Sequence, residues 1–149
     1  MAKAPFQDPD LHTPAHDAIM MWLDENAADV VEPHCRFLQR DGAPVIVETL
    51  TTWEKPVSYA GGVRYIDMVI KANVGGREFD LLCEVKPVIR SIGELIRQLR
   101  QYEPSSNRGG TVRVAVVSPD DRFRAIIEKQ GFIIIKAPQP EYGPQGGLF

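Results

Sequence analysis

The stretch YIDMVIKANVGGREFDLLCEVK, residues 65–86, decides the fold. Gly75-Gly76 supplies the positive φ values that a two-residue hairpin turn needs. With the turn there, Val74 faces Arg77 and Asp67 faces Glu84. One face of the hairpin reads Ile66, Met68, Ile70 and Ala72 against Phe79, Leu81, Cys83 and Val85, all apolar and therefore core. The other face reads Tyr65, Asp67, Val69 and Lys71 against Asp80, Leu82, Glu84 and Lys86, with Lys71 and Asp80 opposed as a surface ion pair. A one-residue slip would send the carboxylates into the core, so the register is well specified.

Two carboxylates directly opposed on neighbouring strands repel. A divalent cation between Asp67 and Glu84 would turn the repulsion into ligation, with Lys86 two residues on and on the same face. Breaches of local stability rules cluster at functional sites. The competing reading is a half-exposed hairpin whose polar face merely carries charges.

Working outward, Thr13-Pro14 reads as a helix N-cap and first turn. Ala15, Ile19, Trp22, Leu23 and Asn26 recur with helical period, giving a helix over 14–26. Residues 27–42 are ambiguous and end in the turn Asp41-Gly42. Val45 to Thr51, rich in β-branched residues, is a strand. A long connection through Lys55-Pro56 to Gly61-Gly62 leads into the hairpin. After Pro87, Ser91-Ile92-Gly93-Glu94 is a capping box. Ile92, Leu95, Ile96, Leu99 and Tyr102 form the apolar stripe of the next helix. Ser105 to Gly110 is a polar loop before the strand Val112–Val117. Ser118-Pro119 caps another helix, Gly131 closes it, and Phe132–Ile135 is a last strand in a right-handed β-α-β crossover. The expectation is one α/β domain with a mixed sheet over 14–136, between a loose arm at 1–13 and a Pro/Gly-rich tail at 137–149.

The chain has 149 residues, 44% hydrophobic and 25% charged, with a net charge of −3. That suffices for one hydrophobic core. No apolar run approaches the ~20 residues needed to span a bilayer. The N-terminus lacks the basic and apolar regions of a secretory signal, so a cytoplasmic protein is expected. Cys35 and Cys83 form neither a disulfide framework nor a zinc pattern. The acidic balance does not mark a general nucleic-acid binder, but Arg90, Arg97, Arg100, Arg108 and Arg113 crowd the segment after Lys86. They form either a local phosphate-holding strip or an ordinary solvated helix face.

The element order and these residues resemble the PD-(D/E)xK nuclease superfamily, whose restriction-endonuclease-like core is α-β-β-β-α-β; here a C-terminal helix and strand follow it. Asp67 stands at the family's acidic position on the second strand, and Glu84-Val85-Lys86 at its (D/E)-x-K signature on the third. Gln98 and Tyr102, on one side of the next helix, resemble the Gln-x3-Tyr motif of RecB-type members. The resemblance covers residues 14 to 118, although Ile66 replaces the proline of the family name. It implies a Mg²⁺- or Mn²⁺-dependent deoxyribonuclease acting in repair, recombination or as a mobile-element accessory. Asp67, Glu84 and the Val85 carbonyl would hold the metal. Lys86 would serve the attacking water and the phosphate, and Gln98 and Tyr102, with Arg97 and Arg100, the DNA backbone. His16 is the candidate for the family's first-helix contact, with Glu25, Glu32 and Glu48 as competitors. The alternative is a catalytically inactive nuclease fold that binds DNA or a replication partner. Gln145-Gly-Gly-Leu148-Phe149 resembles the peptides by which bacterial proteins dock on the sliding clamp.

Overall fold

The computed structural model describes residues 13–39, 47–59, 61–103 and 111–139. The N-terminal arm, the Asp41-Gly42 turn, the loop with Arg108 and the Gln145–Phe149 peptide lie outside the described residues. The elements run α1 (Pro14–Glu25), α2 (Ala27–Cys35), β1 (Val47–Tyr59), β2 (Gly62–Val74), β3 (Arg77–Val85), α3 (Ile92–Tyr102), β4 (Thr111–Ser118), α4 (Arg124–Lys129) and β5 (Ile133–Lys136). This is the α/β order expected from the sequence, with α2 filling the ambiguous stretch. Among the described residues no helix is long and apolar enough to cross a membrane.

One five-stranded sheet, in the order β1-β2-β3-β4-β5, organises the chain. The pairs β1–β2 and β2–β3 are antiparallel, whereas β3–β4 and β4–β5 are parallel. Gly75 and Gly76 have φ of 58° and 85°, and the Gly76 N–H donates to Asn73 Oδ1 at 2.9 Å. Val74 pairs with Arg77, as the turn chemistry requires. Lys71 does face Asp80, although no ion pair joins them among the described residues.

Strand β1 is longer than expected because the supposed connection through Lys55-Pro56 is itself strand. Pro56 pairs with Tyr65; β1 is a sheet edge, paired on one side only, the place in a sheet where proline is tolerated. Helix α1 begins with Thr13 Oγ1 accepting the His16 N–H at 3.2 Å and ends at Asn26, whose Nδ2 donates to the Trp22 carbonyl at 2.8 Å. Helix α2 follows at once and buries Ala27, Val31 and Cys35 on one stripe, with Pro33 in its last turn before the 3-10 turn Arg36–Leu38. Ser118 does not cap α4: its Oγ accepts the Asp120 N–H at 3.0 Å in a turn, and the helix starts at Arg124. Gly131, at φ 90°, closes α4 as expected.

Both faces of the sheet are covered. Ile19, Leu23 and Val31 from α1 and α2 pack on Met68, Ile70, Phe79, Leu81, Cys83 and Val85. Leu95, Leu99 and Tyr102 of α3, with Ile127 of α4, pack on Val69, Leu82, Val114 and Val116. Each fully buried aliphatic side chain contributes about 1.5–3 kcal/mol. The face expected to be half-exposed is therefore a second core into which Asp67 and Glu84 are built. Ile66 is a further correction: it joins the α3 cluster rather than the face of Met68 and Ile70, so strand alternation fails at Asp67.

Candidate active site

The β2–β3 ladder runs from Val74↔Arg77 to Met68↔Cys83, and Asp67 and Glu84 are the next residues on each strand. Beyond that last pair the carboxylates take over from the ladder. Asp67 Oδ2 accepts the Val85 N–H at 2.8 Å, and Glu84 Oε1 accepts the Tyr102 hydroxyl at 2.6 Å. The Lys86 Nζ stands 3.6 Å from Glu84 Oε2. Strand β3 meanwhile stays paired with β4 through Val85↔Val117, and the Lys86 N–H donates to the Val117 carbonyl at 2.9 Å. Lys86 is thus held by backbone at the C-terminal end of a parallel strand.

Asp67, Glu84 and Lys86 are respectively 6%, 3% and 9% exposed. Buried charges persist only when paired and hydrogen-bonded, and here each carboxylate has its own donor. These donors and the Lys86 ammonium offset part of the repulsion expected from the sequence.

The two helix layers each deliver one side chain to this point. His16, in the first turn of α1 and buried, brings Nε2 to 3.4 Å from Asp67 Oδ2. Tyr102 comes from the last turn of α3, fully buried, with its hydroxyl also 3.4 Å from the Tyr65 carbonyl. Burial first, and then the Glu84 charge, push the Tyr102 hydroxyl far above its ordinary pKa, so it remains a donor. Burial and the same two carboxylates push the Cys83 thiol up as well. Gln98, one turn before Tyr102, is buried on the same side of α3.

Of the competitors for the first-helix contact, Glu25 and Glu48 are exposed. Glu32 is held by Arg36 at 2.6 Å. Only His16 reaches Asp67 among the four. The arginines divide. Arg97 and Arg100 are exposed on α3, but Arg100 is engaged by Gln130, by Glu103 at 3.5 Å and by the Phe132 ring at 5.7 Å. Arg113 lies on the other side of the sheet, where its charge lowers the pKa of His34 on α2, second to the effect of burial. Among the described residues, the arginines therefore do not form one strip. Two features escaped sequence reading. Arg64 lies near enough to Tyr102 to oppose the rise in its pKa. Asp120 accepts the Ile89 N–H at 3.0 Å and is gripped by Arg122 at 2.7 Å, while Arg122 also donates to the Ile89 carbonyl at 3.2 Å. Together they fasten the loop that follows Lys86. The turn residues Ser118-Pro119-Asp120 were the available signal.

Among the described residues, no three His, Cys, Asp or Glu side chains are grouped to enclose a metal. The donor set is two carboxylates, which fits Mg²⁺ or Mn²⁺. A magnesium ion keeps several waters and needs only one or two carboxylates from the protein; a dehydrated cage for zinc would need more.

No protein-family model matches the sequence, and no curated protein matches it significantly. Solved structures do. A chain of an EndoMS–double-stranded-DNA complex is 20% identical, with a TM-score of 0.52 over 94% of this chain and 51% of that one. A repair endonuclease from Pyrococcus abyssi is also 20% identical, with a TM-score of 0.43 over 78% of this chain and 47% of that one. The chain spans about half the length of these proteins. Its mixed five-stranded α/β sheet is the fold seen in the EndoMS complex.

Proposed function

We propose that the chain is a divalent-metal-dependent DNA nuclease, using Asp67, Glu84 and Lys86. The observation that carries the reading is the convergence of these three buried charged groups where the β2–β3 ladder ends, with His16 arriving from one helix layer and Tyr102 from the other. The likeness in fold to an EndoMS chain solved with DNA supports it.

Asp67 and Glu84, with the Val85 carbonyl, would hold Mg²⁺ or Mn²⁺. When bound, such an ion supplies positive charge for the phosphate oxygens and makes water a better nucleophile. Lys86 places an ammonium beside Glu84, positioned to neutralise charge on the scissile phosphate and orient the attacking water. Tyr102 fixes one oxygen of Glu84. His16, 3.4 Å from Asp67, would steady that carboxylate or join it in holding the ion. Gln98, buried on the same side of α3, would join Tyr102 at the DNA backbone, as the resemblance to RecB-type nucleases implies. Arg97 is the α3 arginine with freedom to meet the DNA backbone, and Arg64 adds positive charge near Tyr102. On this reading the protein acts in DNA repair, recombination or as a mobile-element accessory. The tail Gln145–Phe149 is its route to a sliding clamp.

A second reading, a nuclease fold that binds DNA without cutting it, draws on the lack of a third grouped ligand among the described residues and on the net charge of −3. Calorimetric titration separates the two. The nuclease reading expects Mg²⁺ or Mn²⁺ to bind wild type and to bind Asp67→Asn far more weakly. Wild type that takes up neither ion, while still binding DNA, supports the inactive module.

A further inference from the structure

The backbone at Glu54 is the other irregularity at this site. Glu54 has φ 53°, the only non-glycine positive φ among the described residues. It lies on β1 opposite Asp67. The β1–β2 pairs run from Val47↔Val74 to Trp53↔Met68 and resume at Lys55↔Ile66, so the pair between them is missing while the register is kept. No residue is inserted; one position is turned out of the ladder.

We infer that Glu54 is a positioning residue: its left-handed backbone unpairs Asp67 from β1 and lets the carboxylate turn to the Val85 N–H and His16. Three observations meet at this position. The β2–β3 ladder stops one residue short of Asp67. Side-chain alternation fails there, with Ile66 in the α3 cluster and Met68 in the α1–α2 cluster. The Asp67 carboxylate takes a backbone N–H of β3 that a continuing ladder would have engaged. An extended residue at 54 would restore the pair with Asp67 and return its side chain to the regular alternation. Left-handed backbone costs an ordinary residue on the order of 1–3 kcal/mol and persists where the surroundings over-determine it, commonly at functional sites.

The inference concerns how Asp67 is aimed, and only its catalytic consequence rests on the nuclease reading. The test is a series at one position: Glu54→Gly, Glu54→Asn, Glu54→Ala and Glu54→Val. Glycine and asparagine accept positive φ, alanine resists it, and β-branched valine resists it most. Native-state hydrogen exchange at the Val85 amide reads the bond to Asp67 directly, with Leu81 and Val69 amides as controls for global stability. Protection of Val85 relative to the controls should follow backbone tolerance. Glu54→Gly and Glu54→Asn should equal wild type, and Glu54→Val should exchange about tenfold faster or more, as expected for losing a hydrogen bond to a charged group. Glu54→Ala should fall between. Because Glu54→Val could disturb folding, the glycine–alanine comparison keeps the series decisive. Equal protection across the series would overturn the inference. Loss of Val85 protection in Glu54→Gly would overturn it too, by assigning the effect to the carboxylate. If wild type cleaves no DNA yet the series keeps its order, the nuclease reading fails and the inference stands.

Discussion

Replacing Tyr102 by Phe removes one oxygen from a fully buried ring and leaves the packing of α3 on the sheet unchanged. What is lost is the 2.6 Å hydrogen bond to Glu84 Oε1, a carboxylate that is 3% exposed, together with the longer 3.4 Å contact to the Tyr65 carbonyl. A hydrogen bond to a charged group contributes about 1.5–3 kcal/mol, and leaving the buried acceptor short of a donor sets the cost toward the top of that range. For a domain of this size the loss corresponds to a fall in Tm of roughly 3–12 °C, taking about 2–4 °C per kcal/mol. Thermal and urea unfolding of wild type, Tyr102→Phe, Glu84→Gln and the double variant form a cycle that isolates the pair. The single Tyr102→Phe change should be strongly destabilising, and much less so once Glu84 is already neutral. A coupling below about 0.5 kcal/mol, the scatter expected of independent sites, would refute the idea that Tyr102 sustains the buried carboxylate.

Further expectations concern the surroundings of the site. Asp120 has its carboxyl held down to about 2 from 3.8, chiefly by the Arg122 hydrogen bond. A carboxylate whose pKa is depressed on folding stabilises above its unfolded pKa and loses that contribution as pH falls through the folded value. Wild type should therefore lose more stability than Asp120→Asn between pH ~4 and pH ~2 in urea titrations. Asp67→Asn should destabilise the metal-free protein, because Asp67 accepts a backbone N–H; a gain in stability would mean that repulsion from Glu84 dominates. Arg97→Ala should weaken DNA binding across sequences and reduce the log–log salt slope by about one unit, as for one lost phosphate contact. A peptide spanning Gln145–Phe149 should bind a bacterial sliding clamp, and its Leu148→Ala/Phe149→Ala form should not; equal binding by both would dispose of that docking reading.

Local chemistry made much of this fold legible. Gly75-Gly76 admits one turn and hence one register, so the positions of Asp67, Glu84 and Lys86 along the hairpin followed from the sequence. Ser91, whose Oγ accepts the Glu94 N–H at 3.3 Å, marked α3, and its helical stripe put Gln98 and Tyr102 on one side. Non-local effects were hidden. Pro56 reads as a breaker until it is known that β1 is an edge. The polar hairpin face reads as solvated until α3 and α4 are laid over it, because Val69 and Leu82 between charges do not announce a second core. The donors of the two carboxylates, Val85 N–H and Tyr102, are 18 residues from their acceptors, so sequence spacing suggested repulsion where the fold supplies hydrogen bonds. Arg113 and Arg97 look like one strip along the chain, and the sheet separates them.

The most direct test of the account is cleavage of single-stranded, duplex and branched DNA by wild type and Lys86→Ala, in Mg²⁺ or Mn²⁺ and in excess chelator. Wild type should cleave at least one substrate with metal and none with chelator, and Lys86→Ala, folded as judged by its unfolding transition, should cleave none. Cleavage that survives both chelator and Lys86→Ala, or wild type inert on every substrate, would contradict it.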